Sequence, residues 1–70
     1  MANEFKRGDR VEWNYRGTVV TGRIRRRLTK RAEVGGQIAA ASAEDPRYIV
    51  RVESSGKEIA RRPSALRHAD

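Results

Sequence analysis

The sequence predicts a small all-β domain, either a barrel or a strongly bent sheet, and three observations predict it. Apolar residues recur with period two in successive short stretches. Turns carrying glycine separate those stretches, and helical propensity is confined to the short run Ile38 to Ala43, which is too brief to hold a helix without packing. Five short strands joined in this way would form one core. Seventy residues leave room for one domain only, and no internal repeat or low-complexity tract divides them.

Residues 1–4 read as a frayed end, since nothing in them pairs or packs strongly, and the domain is expected to cover 5–67. Lys6-Arg7-Gly8-Asp9 has the chemistry of a tight turn, with Gly8 free to take positive φ and Asp9 able to accept from nearby backbone amides. Val11, Trp13 and Tyr15 then alternate with Arg10, Glu12 and Asn14, which places one face of a first strand on the core. Trp13 is its main anchor. Asn14-Tyr15-Arg16-Gly17 offers the short connection of a hairpin, with Gly17 able to hold a left-handed conformation.

The second strand, Val19 to Leu28, organises the rest. Val20, Ile24 and Leu28 fall on one side with Gly22 between them, while Val19, Thr21, Arg23, Arg25 and Arg27 fall on the other. A glycine in the middle of the buried side lets another backbone cross closely or lets the strand bend sharply. Arginines two residues apart on the outer side would stand roughly 7 Å from one another along the strand.

Residues 29–45 lose the alternation and read either as a long mobile loop or as a short hairpin turned at Gly35-Gly36, with short strands around a flexible tip preferred. Pro46 restricts Asp45 to extended geometry and delivers the chain into a strand in which Tyr48, Val50 and Val52 face one way and Ile49, Arg51 and Glu53 the other. Glu53-Ser54-Ser55-Gly56-Lys57 is a hairpin connection with Gly56 as its positive-φ residue, and Lys57 to Arg62 returns as a short strand. Pro63-Ser64-Ala65-Leu66 suits a single helical or 3-10 turn, the 3-10 turn preferred, with proline at its first position and Leu66 on the core, and residues 68–70 read as a frayed end. The expected core is Val11, Trp13, Val20, Ile24, Leu28, Val50, Val52, Ile59 and Leu66.

Gly8-Asp9-Arg10-Val11-Glu12-Trp13-Asn14-Tyr15, followed by Gly17, Val20, Gly22 and Ile24, resembles the opening of the bacterial and fungal family of hypervirulence-associated Tudor domains. Ala41-Ser42 with Pro46-Arg47-Tyr48-Ile49-Val50, then Ser55-Gly56-Lys57 and Pro63-Ser64-Ala65-Leu66, resembles the family's later pattern, so the likeness spans about residues 5 to 67. The resemblance implies an SH3-like or Tudor-like five-stranded barrel. It brings no settled biochemical activity, because a fold does not fix a function.

Composition narrows the function. The sixteen Lys and Arg exceed the nine Asp and Glu to give a formal charge of +7, and six of the basic residues lie between Arg23 and Arg31 with no acid among them. Such a cluster attracts polyanions; the same pattern is also that of a solvated strand face that keeps a small protein soluble. Cysteine is absent, which excludes disulfides and thiolate metal sites and suits a reducing cytoplasm. No apolar run approaches the length of a signal segment or a membrane span, so a cytoplasmic protein with no membrane partner is expected, monomeric by default.

Catalysis finds no support: the single histidine, His68, lies beside the chain end, and no carboxylate pair sits in an acid–base pattern. Metal binding lacks a ligand set, no cofactor is implied, and the glycine turns lack the spacing of a phosphate loop. The function expected is therefore a non-enzymatic binding module. Arg23, Arg25, Arg26, Arg27, Lys30, Arg31, Arg51 and Arg61 are the candidates for contacting the phosphate backbone of DNA or RNA without strong sequence preference. The alternative is a protein or peptide interaction domain with an acidic partner. Tyr15 and Tyr48 are the candidate aromatic rim in either case, whereas periodicity assigns Trp13 to the core.

Overall fold

The computed structural model describes residues 4–69. Alternation in the first third of the chain produces the hairpin it predicts: β1 (Arg10–Tyr15) pairs antiparallel with β2 (Thr18–Leu28), Tyr15 opposite Thr18 and Val11 opposite Gly22. Arg16 and Gly17 both take positive φ, 52° and 80°, which is the two-residue turn whose twist matches the flanking strands. The strand β2 lies at the centre of a five-stranded sheet in the order β6 (Glu58–Arg61), β5 (Arg47–Val52), β2, β1, β7 (Arg67–His68).

Gly22 is where β5 (Arg47–Val52) presses against β2. A Cβ at Gly22 would stand 2.5 Å from the Arg51 carbonyl oxygen and 2.7 Å from Val50 Cγ1, so the close backbone approach expected there is present. The bend comes three residues later. Register is regular to Ile24 opposite Val50, then resumes at Arg26 opposite Ile49, which leaves Arg25 as the extra residue of a β-bulge.

That insertion reverses the parity of the strand. Ile24 packs with Phe5, Val11, Trp13, Tyr48, Val50 and Leu66, whereas Leu28, expected on the same side, packs on the opposite face of the sheet with Val34 and Ile49. Val20, Val52 and Ile59 are only partly buried at the margin of the first cluster. Phe5, Tyr48, Val34 and Ile49 join the core from outside the expected set.

The remaining elements build around this joint. Residues 29–45 contain a hairpin, β3 (Ala32–Val34) with β4 (Gln37–Ala39), turned at Gly35-Gly36. Gly35 lies so close to the Glu58 carbonyl that a Cβ would collide with it, and the hairpin carries Val34, Ala32 and Ala39 onto the second cluster. A turn in which Ser42 and Asp45 exchange backbone hydrogen bonds of 3.1 and 3.2 Å leads into β5. The strand β6 (Glu58–Arg61) returns along β5, and Pro63–Ala65 forms the expected 3-10 turn, with the Leu66 N–H donating to the Pro63 carbonyl at 3.1 Å. The described residues contain no α-helix.

Two expectations need correction. The sheet ends at β6 and β7, and β3–β4 forms a separate sheet, so the strands do not close into a five-stranded barrel; the described residues form seven strands. The chain end read as frayed is paired up to Ala69: β7 (Arg67–His68) lies against Glu12 and Val11, and the Ala69 N–H donates to the Arg10 carbonyl at 3.0 Å. Residues 1–3 and 70, also read as frayed, lie outside the described residues.

Candidate nucleic-acid interface

In an antiparallel ladder, residues directly opposite each other share a face of the sheet. Arg23 lies opposite Arg51, so these two cations stand side by side, while Arg26 opposite Ile49 continues the same face beyond the bulge. Arg27 lies opposite Tyr48 and therefore falls on the other face. The single stripe Arg23, Arg25, Arg27 implied by strict period two does not form, because the bulge at Arg25 rotates the strand between its members.

The bulge instead creates a bent arginine surface. Two shallow depressions lie side by side along it, of about 440 and 420 Å³, and both are lined by Arg7, Ile24 and Arg25. Arg26, Arg27 and Glu58 complete the first, and Arg23, Arg51 and Glu53 line the second. Arg7 joins this surface from outside the Arg23–Arg31 cluster. It arrives because the 6–9 turn is fastened to β2: the Gly8 N–H donates to the Ile24 carbonyl at 2.8 Å, and the Ile24 N–H donates to the Asp9 carbonyl at 2.9 Å. Asp9 holds the turn itself, accepting the Lys6 N–H at 2.8 Å, and this bond is the main reason its carboxyl lies below the usual carboxylate range. The turn chemistry of Lys6-Arg7-Gly8-Asp9 is legible in sequence, but its docking on β2 is a long-range contact with no local signal.

Acids near this surface are unequally engaged. Glu58 pairs with Arg25 at 3.3 Å. Glu53 is held from the far side by Arg10, whose Nε and Nη2 donate at 2.9 and 3.3 Å, and by the Thr21 hydroxyl at 3.2 Å. The Arg10 contact lowers the Glu53 pKa. Arg23 donates to the Gly8 carbonyl at 3.0 Å and Arg51 extends beside Gly56. Among the described residues, Arg7, Arg23, Arg26, Arg27 and Arg51 have no carboxylate within salt-bridge distance.

The other candidates lie elsewhere. Lys30 and Arg31 are exposed in the connection from β2 to β3 and line neither depression. Arg61, on β6, stands over the Tyr15 ring with its guanidinium carbon 6.0 Å from the ring centre, and Arg16 stands 5.2 Å from it. Tyr15 is 47% exposed and remains a surface ring. Tyr48 does not: at 4% exposed it belongs to the core, its ring edge-on to Phe5 at 5.4 Å and its hydroxyl accepting the Phe5 N–H at 3.3 Å. With Trp13 also buried at 2% exposure, the aromatic residues do not converge into a cage for a cationic ligand.

His68 Nε2 lies 3.4 Å from Asp9 Oδ2, and the described residues contain no group of three or more His, Cys, Asp or Glu that could hold a metal ion. No helix among them is long and apolar enough to cross a membrane. Neither a curated protein nor a solved structure matches the chain. A family match does exist, to the description "Hypervirulence associated proteins TUDOR domain", and it runs over residues 8–66, from the turn that carries Asp9 to the core residue Leu66. The chain thus belongs to the hypervirulence-associated Tudor domain family, whose Tudor-like fold is that of a small binding module.

Proposed function

We propose that this domain binds the phosphate backbone of nucleic acid through the bent arginine surface at the β2 bulge. The observation that carries the proposal is the pair Arg23 and Arg51, directly opposite each other on neighbouring strands, neither within salt-bridge distance of a described carboxylate, although Glu53 lies near Arg23 and Glu58 stands opposite Arg51 on β6. Like charges in this position disfavour the sheet, and a bound phosphate reverses the sign of that interaction. Arg7, Arg26 and Arg27 extend the positive field around the bulge. A planar guanidinium offers two parallel donors to a phosphate, which makes five arginines without a salt bridge to a described carboxylate an effective backbone clamp.

Sequence preference is weak in this account, because phosphate contacts position a protein without reading bases. Duplex is preferred to single strands. Tyr15, the exposed ring available for stacking, lies opposite Thr18, five residues from Arg23 and therefore about 16 Å away along β2. Binding rather than catalysis is the activity, in the cytoplasm and as a monomer, and no cofactor takes part. The test is a titration of labelled duplex DNA, single-stranded DNA and RNA of unrelated sequences. Micromolar-range binding that weakens steeply with salt and varies little with sequence is expected; no binding at low salt would overturn the proposal.

A further inference from the structure

A second surface lies away from these arginines. Between the β3–β4 hairpin and the margin of the main sheet runs an open groove of about 1020 Å³, larger than either depression at the bulge. Its floor includes Val20, Val52 and Ile59, which pack against the first cluster and stay partly exposed. Ile38 lines it from the hairpin and is 59% exposed, opposite Glu33 on the side of the hairpin turned away from the second cluster. Tyr15 and Arg61 form part of its rim.

The charges around the groove decide what fits it. Arg47 is neutralised by Asp45 at 2.7 Å, and Glu58 is engaged by Arg25. Lys57 and Arg61 line the groove with no described carboxylate within salt-bridge distance, and Arg16 adds a third cation beside Tyr15. An aliphatic floor under a cationic rim suits an apolar side chain flanked by carboxylates. A second copy of this chain suits it poorly, since each carries a formal charge of +7. Nucleic acid suits it poorly as well: of the two rings in its lining, Trp13 is buried and two guanidinium groups already stand at Tyr15.

We infer that this groove docks an extended acidic peptide segment of a partner protein, with an aliphatic or aromatic side chain seated against Ile38, Val52 and Ile59 and its carboxylates on Lys57 and Arg61. The surface differs from the one proposed for nucleic acid, so the two activities separate by mutation. The test is selection of a random dodecapeptide phage library on the protein, followed by affinity measurements with the selected peptides on wild type, Ile38→Ser and Arg61→Gln. Ile38 is exposed, so its replacement spares the core and leaves the charge unchanged.

Enrichment of peptides that combine Asp or Glu with a large apolar residue, and a loss of about tenfold or more in both variants, is expected. Duplex DNA affinity should be unaltered in Ile38→Ser. Failure to enrich any peptide would overturn the inference, as would enrichment of peptides lacking acids or equal affinity in Ile38→Ser. Parallel loss of peptide and DNA binding in Ile38→Ser would also overturn it, by making the groove part of the nucleic-acid surface.

Discussion

Replacing Gly22 by alanine perturbs the joint on which the molecule depends. The added Cβ would lie 2.5 Å from the Arg51 carbonyl oxygen, 3.1 Å from the Arg51 carbonyl carbon and 2.7 Å from Val50 Cγ1. A valine methyl can rotate away. The carbonyl cannot move without loosening the β2–β5 ladder, where Gly22 lies opposite Val52. Overpacking of this kind costs about 1–3 kcal/mol. Taking about 2 kcal/mol, and 4–8 °C per kcal/mol for a domain of this size, Gly22→Ala should lower the midpoint of thermal unfolding by roughly 8–16 °C. Far-UV circular dichroism melts and urea titration would measure it. The proposed duplex binding should weaken too, because the displaced carbonyl belongs to Arg51. A melting temperature within about 2 °C of wild type would refute the reasoning, since the ladder would then tolerate a contact closer than van der Waals distance.

Three other substitutions probe the frame of the site. Arg16→Asn should stabilise the protein by about 0.5–1 kcal/mol in urea unfolding, because arginine at φ 52° occupies a left-handed position that asparagine adopts more readily before Gly17. Tyr48→Phe should cost about 1 kcal/mol, from the buried hydroxyl that accepts the Phe5 N–H, measured by the same method. Glu53 has a folded-state pKa below its unfolded one, so the stability it contributes is present at neutral pH and is lost as the pH falls through and below the usual carboxylate range. Melting temperatures between pH 7 and about 3 should therefore fall less steeply in Glu53→Gln than in wild type.

Much of this structure is readable from period two alone. The pairing faces of β1 and β5, the close approach at Gly22 and the 3-10 turn at Pro63 each follow from short-range rules about alternation, missing Cβ atoms and fixed φ. The bulge at Arg25 does not, because alternation assumes one residue per pleat and an inserted residue shifts everything after it. One trace of it exists: Arg26 falls on the parity of Val20, Gly22 and Ile24, where an unbroken strand would bury it. Tyr48 carried a clearer signal. Alternation places it with Val50 and Val52, and in the core its hydroxyl needs only one partner, which the Phe5 N–H supplies.

The candidate site is less legible than the fold. Five of its arginines come from β2 and β5, but which face each one takes depends on the bulge, and Arg7 depends on a turn docked across the chain. Lys30, Arg31 and Arg61 share the composition of the cluster without sharing its place. Charge density along a sequence reports proximity in the chain; bulges and long-range docking determine proximity in space. The open sheet has the same origin, because pairing of edge strands is a long-range event that alternation does not encode.

The most direct test of the account compares two variants that remove the same charge. Arg23→Ala with Arg51→Ala takes two cations from the surface at the bulge, and Lys30→Ala with Arg31→Ala takes two from the connection beyond it. Duplex DNA affinity would be measured for both, and for wild type, over a range of salt concentrations. If five arginines each neutralise one phosphate, the logarithm of the wild-type binding constant should fall with a slope of about −4.5 against the logarithm of salt. The slope should become shallower by about 2 in the first variant and stay near the wild-type value in the second. Equal slopes and equal losses in the two variants would contradict the account, because binding would then follow net charge rather than the surface that the bulge assembles.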